Sequence, residues 1–178
     1  MKKLLAVVPV LLLAASVCHA QTATGTATSV LTVPVGAEAA IAITQNGTNF
    51  VEGAGAFANY TATTSFTYSV RTSATSGTGS ISLAFAADFG PTGGPSIVHP
   101  INPPDTLSYT CTAAVGTACA SATTVSALAT SYGVVNFGAA AYGTAATGSV
   151  AWTLVNDPSY ATSTAGYTTT ATFTISAT

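Results

Sequence analysis

The sequence predicts an all-β protein, a single antiparallel β-sandwich of immunoglobulin-like type with about eight or nine strands. Three observations lead there. Apolar and hydroxyl-bearing residues alternate with period two over most of the chain, as strands with one buried and one wet face require. Gly, Pro, Asn and Asp interrupt those runs at short intervals, where turns belong. Beyond the first twenty residues, no window repeats apolar residues at i, i+3, i+4 and i+7 with helix formers between them. Many short strands separated by turns argue for sheet packed on sheet.

In chain order, Met1-Lys2-Lys3 is a short basic start and Leu4 to Val17 an almost unbroken apolar run. Cys18-His19-Ala20 then places small residues where a signal peptidase reads. Residues 1–20 read as a cleaved signal peptide, cut between Ala20 and Gln21, too short to span a membrane. The expected product is secreted, extracellular or on the cell surface, without a membrane span. Residues 21–29 read as an N-terminal extension and 30–178 as the sandwich domain.

Val30–Val33 and Ala39–Thr44 are the first strand candidates, split by Pro34 and Gly36. From Thr61 to Arg71 one face carries Ala62, Thr64, Phe66, Tyr68 and Val70, and the other is Thr and Ser ending in Arg71. Ile81, Leu83, Phe85 and Ala87 alternate after Gly77-Thr78-Gly79, so the two runs read as a hairpin. Phe89 to Pro104, rich in Gly and Pro, reads as a loop. Leu107, Tyr109 and Cys111 begin the next strand, and Thr123–Thr130 and Tyr132–Phe137 supply two short ones. Val150, Trp152 and Leu154 share one face, which makes Trp152 a core residue between sheets. Tyr167 to Ala177 alternates as a long final strand.

Charge restricts function. With Lys2 and Lys3 in the leader, Arg71 is the single remaining cation against Glu38, Glu52, Asp88, Asp105 and Asp157. Nucleic-acid binding and docking on an anionic membrane both need clustered Lys and Arg, so both are excluded. The chain is nonetheless too rich in Val, Ile, Leu, Phe and Tyr to be disordered. Cys111 and Cys119 form an even pair in an exported chain, and a disulfide is expected. Their C-x7-C spacing matches neither redox nor zinc patterns.

No set of residues for catalysis emerges, and the chain reads as a non-enzyme without cofactor or metal. His99 is isolated in the Pro-rich loop, and no Ser stands in G-x-S-x-G. Asp88 and Asp105 bracket that loop and read as turn formers, with a weak calcium site at Asp88, Asp105 or Asn102 as the alternative.

The start Thr28-Ser29-Val30-Leu31-Thr32-Val33, the segment Gly148-Ser149-Val150-Ala151-Trp152-Thr153-Leu154 and the end Gly166-Tyr167 through Ala177 together resemble small secreted bacterial immunoglobulin-like sandwiches. That group includes fimbrial pilin-type subunits and spore-coat-protein-U-like domains. The resemblance implies assembly of surface filaments or coats, sometimes with adhesion, and no enzymatic activity. Pilin-type subunits usually pair a cysteine of the first strand and place an aromatic next to the last residue. Here both cysteines are mid-chain and the end is Ser176-Ala177-Thr178, a departure from chaperone–usher assembly specifically.

The expected function is therefore a structural, self-associating cell-surface, filament or coat subunit whose partner is itself or another surface protein. Gln21 to Val33 is a β-prone strip without charge, one face carrying Ala23, Gly25, Ala27, Ser29, Leu31 and Val33, the other largely Thr. Either it is a loose leader into the first strand, or its residues Thr22 to Ser29 add to a sheet edge of a neighbouring copy. The alternative function is an extracellular binding or adhesion module for carbohydrate or a surface protein, using Tyr132, Tyr142 or Tyr160.

Overall fold

The computed structural model describes residues 26–45, 47–98 and 105–178. The signal-peptide and cleavage assignments, the assembly-strip residues Ala23 and Gly25, His99 and Asn102 lie outside the described residues. Among the described residues no helix is long and apolar enough to cross a membrane.

The chain divides at Pro34. In the first unit, Thr26 to Pro34 belongs to no strand, and Val30 and Leu31 are 91% and 88% exposed. This corrects the expectation of a strand at Val30–Val33. β-Propensity becomes a strand only when the backbone pairs in a ladder, and no such pairing involves Thr26–Val33. Ala27, Ser29, Leu31 and Val33 are accordingly exposed.

The second unit, Val35–Thr178, is an all-β sandwich of two antiparallel sheets. Its strands are β1 (Glu38–Ile43), β2 (Val51–Glu52), β3 (Tyr60–Arg71), β4 (Gly79–Phe85), β5 (Leu107–Ala113), β6 (Thr117–Ala118), β7 (Thr123–Val125), β8 (Tyr132–Phe137), β9 (Tyr142–Leu154) and β10 (Ala171–Ala177). One sheet runs β1-β3-β9-β5-β7, with β2 also on β3; the other runs β10-β4-β8-β6. The alternation read from sequence places the core. Phe66, Tyr68, Val70, Val150, Trp152, Leu154, Leu107 and Tyr109 point inward from the first sheet, and Ile81, Leu83, Phe85 and Phe137 from the second. Ring pairs join the layers: Phe66 with Phe173 at 5.8 Å, Tyr68 with Phe137 at 5.7 Å and Phe85 with Trp152 at 6.0 Å between centroids.

The expected hairpin of β3 with β4 is not formed. β3 pairs with β1, β2 and β9, whereas β4 pairs with β10 and β8. Two amphipathic strands bury their apolar faces equally well side by side or facing across a core, so alternation leaves the choice open. The connection makes it. The Thr72 hydroxyl donates to Gly138 O at 2.7 Å, and Ser73 N donates to Thr178 O at 3.0 Å, carrying the chain from one layer to the other. Gly77 is required in that turn, because a Cβ there would lie 2.3 Å from Ser73 N.

Val134 and Val135 are both buried although consecutive, because a register shift between Ile81 and Ser82 puts two neighbouring side chains inward. Trp152 is 5% exposed, and its indole N–H donates to the buried Thr64 hydroxyl at 2.8 Å. Cys111 and Cys119 are bonded to each other.

Candidate functional site

The two sheets meet tightly at one end and part at the other. The first strand of the first sheet stops at Ile43, and its place beside β3 is taken only by the two-residue β2 at Tyr60 and Thr61. In the facing sheet, β10 begins at Ala171, paired to Phe85 at the end of β4. Between these ends lies a groove of about 1130 Å³. Its floor reaches the core at Leu107, Trp152, Leu154, Phe85 and Thr64.

Nine of the chain's fifteen aromatic side chains line it: Phe50, Phe57, Tyr60, Phe85, Phe89, Trp152, Tyr160, Tyr167 and Phe173. Local contacts hold them. Gly94 lets the Tyr167 ring lie against the loop backbone, since a Cβ there would come within 2.3 Å of the ring. The Tyr167 hydroxyl donates to Ala161 O at 2.7 Å, and Ala161 N donates to Gly93 O at 2.8 Å. Phe57 is 58% exposed at the lip, with backbone φ of 55°, a strained conformation for a bulky residue. The turn around it is closed by Ala58 N to Gly55 O at 3.3 Å and Gly53 N to Asn59 O at 3.1 Å.

The polar lining is neutral or acidic. Thr48, Thr64 and the Trp152 indole form a hydroxyl chain, with Thr48 and Thr64 oxygens 2.7 Å apart. Glu52 accepts from the Asn156 amide at 2.8 Å. Asp157 accepts from Ser159 N at 2.8 Å, and the Ser159 hydrogen bonds hold its carboxyl below the usual range, so it is an anion at neutral pH. Burial first, then the hydrogen bond and charge of Asp105, push the Tyr160 phenol far above its ordinary value. It remains a protonated donor, within 3.3 Å of Val155 O.

The candidates named from sequence are scattered. Asp88 is a loop organiser: it accepts from Phe89 N at 2.8 Å, Ile97 N at 2.6 Å and the Ser96 hydroxyl at 2.6 Å. Asp105 is buried and engages Tyr160. The two aspartates that bracket the loop thus serve different partners. Among the described residues no three His, Cys, Asp or Glu side chains gather as a metal site would need. Tyr132 is tied to its own loop, accepting from Ala127 N at 2.8 Å and donating to Ala127 O at 3.1 Å. Tyr142, 80% exposed, stands opposite Arg71 at the far end of β3. Of the three proposed tyrosines only Tyr160 lines the groove. The groove itself was missed. Part of its signal was Phe50 and Phe57 just before β3 and Tyr160 after β9, outside the alternating runs.

Comparison with protein-family models, with curated proteins and with solved structures gives no match to this chain.

Proposed function

We propose that this chain is a secreted structural protein of immunoglobulin-like architecture that self-associates as a cell-surface, filament or coat subunit and performs no catalysis. The observation that carries the reading is the outer edge of β10. Among the described residues this seven-residue strand pairs on one side with β4 and hydrogen-bonds to no strand on the other. It has no charge and no proline, so it lacks the devices that keep edges apart. Its inward residues Ala171, Phe173, Ile175 and Ala177 are only half buried, as beside an incomplete layer.

A donor of matching character exists in the same sequence. Val30, Leu31, Val33 and Val35 are large, apolar and exposed, an unusual cost for a chain that stays alone. Strand addition would give main-chain hydrogen bonds to β10 and cover these side chains. The near absence of charge removes the repulsion that keeps monomers separate.

The test is deletion of Gln21 to Val33, which leaves every strand of the sandwich in place. The truncated chain is expected to fold and keep its disulfide but to sediment as a monomer. The same large species as the full chain, at the same concentration, would refute the donor role. A full chain that is monomeric at every concentration would refute self-association itself.

A further inference from the structure

We propose that the aromatic groove between the sheet ends is a binding site for an organic cation with an apolar body, a quaternary ammonium or a protonated amine. The inference goes beyond self-association and does not depend on it.

Two features argue that something occupies the groove. Protein interiors are packed to crystal density, and voids larger than a water are few. A space of about 1130 Å³ that descends to Trp152 and Leu107 is the size of a ligand pocket, not a packing fault. Phe57 is also held in left-handed backbone with its ring on the lip, a strained and exposed placement for a large apolar residue.

Charge decides the class of occupant. Among the described residues the only charged side chains in the lining are the carboxylates Glu52 and Asp157, and no Lys, Arg or His among them lines it. Arg71, the one cation among the described residues, is held by Glu38 at 2.9 Å and belongs to β3's other end. A fatty acid, phosphate ester or other anion would bring its charge to two acids with no counter-charge. A cation gains twice, from the carboxylates and from the negative faces of aromatic rings, an attraction that strengthens as water is excluded. The apolar floor would take the hydrocarbon part.

Trp152 is the single tryptophan and stands in the floor, so its fluorescence reports occupancy. Titrate the full chain with decyltrimethylammonium and, separately, decanoate, both below their micelle concentrations. The cation is expected to give a saturable Trp152 change with affinity about tenfold above the anion's at low salt, the preference shrinking as salt screens it. Glu52→Gln with Asp157→Asn keeps the acceptor oxygens that meet Asn156 and Ser159 and removes both charges. That variant should keep wild-type melting and bring the two affinities within about twofold. Equal or tighter binding of decanoate, no saturable response to the cation, or full preference in the double variant would each overturn the proposal. So would a Trp152 change that saturates with protein concentration alone and shuts out the cation, since the groove would then belong to a second copy.

Discussion

The two ends of the sandwich use the same alternating strands and finish differently. At the closed end Tyr68 reaches across from β3, and its hydroxyl bonds both the carbonyl and, at 2.8 Å, the N–H of Val115. Gly116 lies so close to Val135 and Phe137 that a Cβ would meet them at 2.7 Å. The Cys111–Cys119 disulfide fixes the same turn. At the open end Trp152, Leu154 and Leu107 are as inward-facing as Tyr68, yet they form a groove floor. Facing inward is a property of one strand, whereas being packed needs a partner layer. The closed end is filled by one, whereas at the open end the facing sheet supplies Phe85 and Phe173 and the rest of the wall is β2 and loops.

The largest test of this contrast is in the core. Ile81, fully buried and paired with Val135 at the closed end, is expected to cost about 3–5 kcal/mol on replacement by Ala, because a new cavity opens in packed surroundings. Leu154→Ala, at the groove floor, should cost about 2 kcal/mol or less, since the space beside it already exists. Equilibrium denaturant unfolding of both variants measures this. Equal losses would mean that the open end is as tightly filled as the closed one.

Next in size is the disulfide. Cys111→Ser with Cys119→Ser should lower stability by roughly 2–3 kcal/mol through loop entropy in the unfolded chain. The mass of the non-reduced protein should show no free thiol; alkylation of both cysteines without reduction would end the claim. Smaller again is the contrast of two tyrosines. Tyr68→Phe strands a partly buried N–H and carbonyl of Val115 and should cost about 1–3 kcal/mol. Tyr167→Phe frees only the exposed Ala161 carbonyl, which water can satisfy, and should cost within about 0.5 kcal/mol. Comparable losses would remove the distinction between a sealed and an open end.

How much of this was legible depends on which end is read. The inward faces of β3, β4, β5 and β9, the role of Trp152 and the cysteine pair follow from alternation and parity, which are local properties of the sequence. The partition of β3 and β4 into different sheets was not, because it turns on Thr72 bonding Gly138, residues 66 positions apart. The strand read at Val30–Val33 failed for a related reason: its residues prefer extended backbone, but pairing is not encoded locally. The groove escaped because Phe50, Phe57, Phe89 and Tyr160 stand in irregular segments, where no period marks which way a side chain faces, while Phe85, Trp152 and Phe173 face inward as core residues do. Tyr160 was singled out as a loop aromatic; its partner Asp105, 55 positions earlier, had been read as a turn former.

That partnership gives the smallest expected effect and a direct probe of the open end. Burial and Asp105 raise the Tyr160 phenol in the folded chain, while the unfolded chain keeps an ordinary tyrosine value near 10. As pH rises through that ordinary value, the unfolded state loses the proton and the folded state retains it. The unfolded state then binds fewer protons, so stability must fall with rising pH, and the contribution is intact below the unfolded value. The same argument applies to Tyr109, raised chiefly by burial, so wild type should show an alkaline decline from both. Tyr160→Phe should lower stability near neutral pH by the loss of the hydroxyl's contacts with Asp105 and Val155 O, an offset that does not vary with pH there, and should make the decline above about pH 10 shallower. The change is modest because the groove admits water to the phenol, which screens the shift. Denaturant unfolding at successive alkaline pH values reads it, with phenolate absorbance counting the tyrosines that titrate before unfolding. If Tyr160→Phe and wild type decline in parallel, the phenol ionises freely in the folded protein, and the open end is wetter around Asp105 than its burial implies.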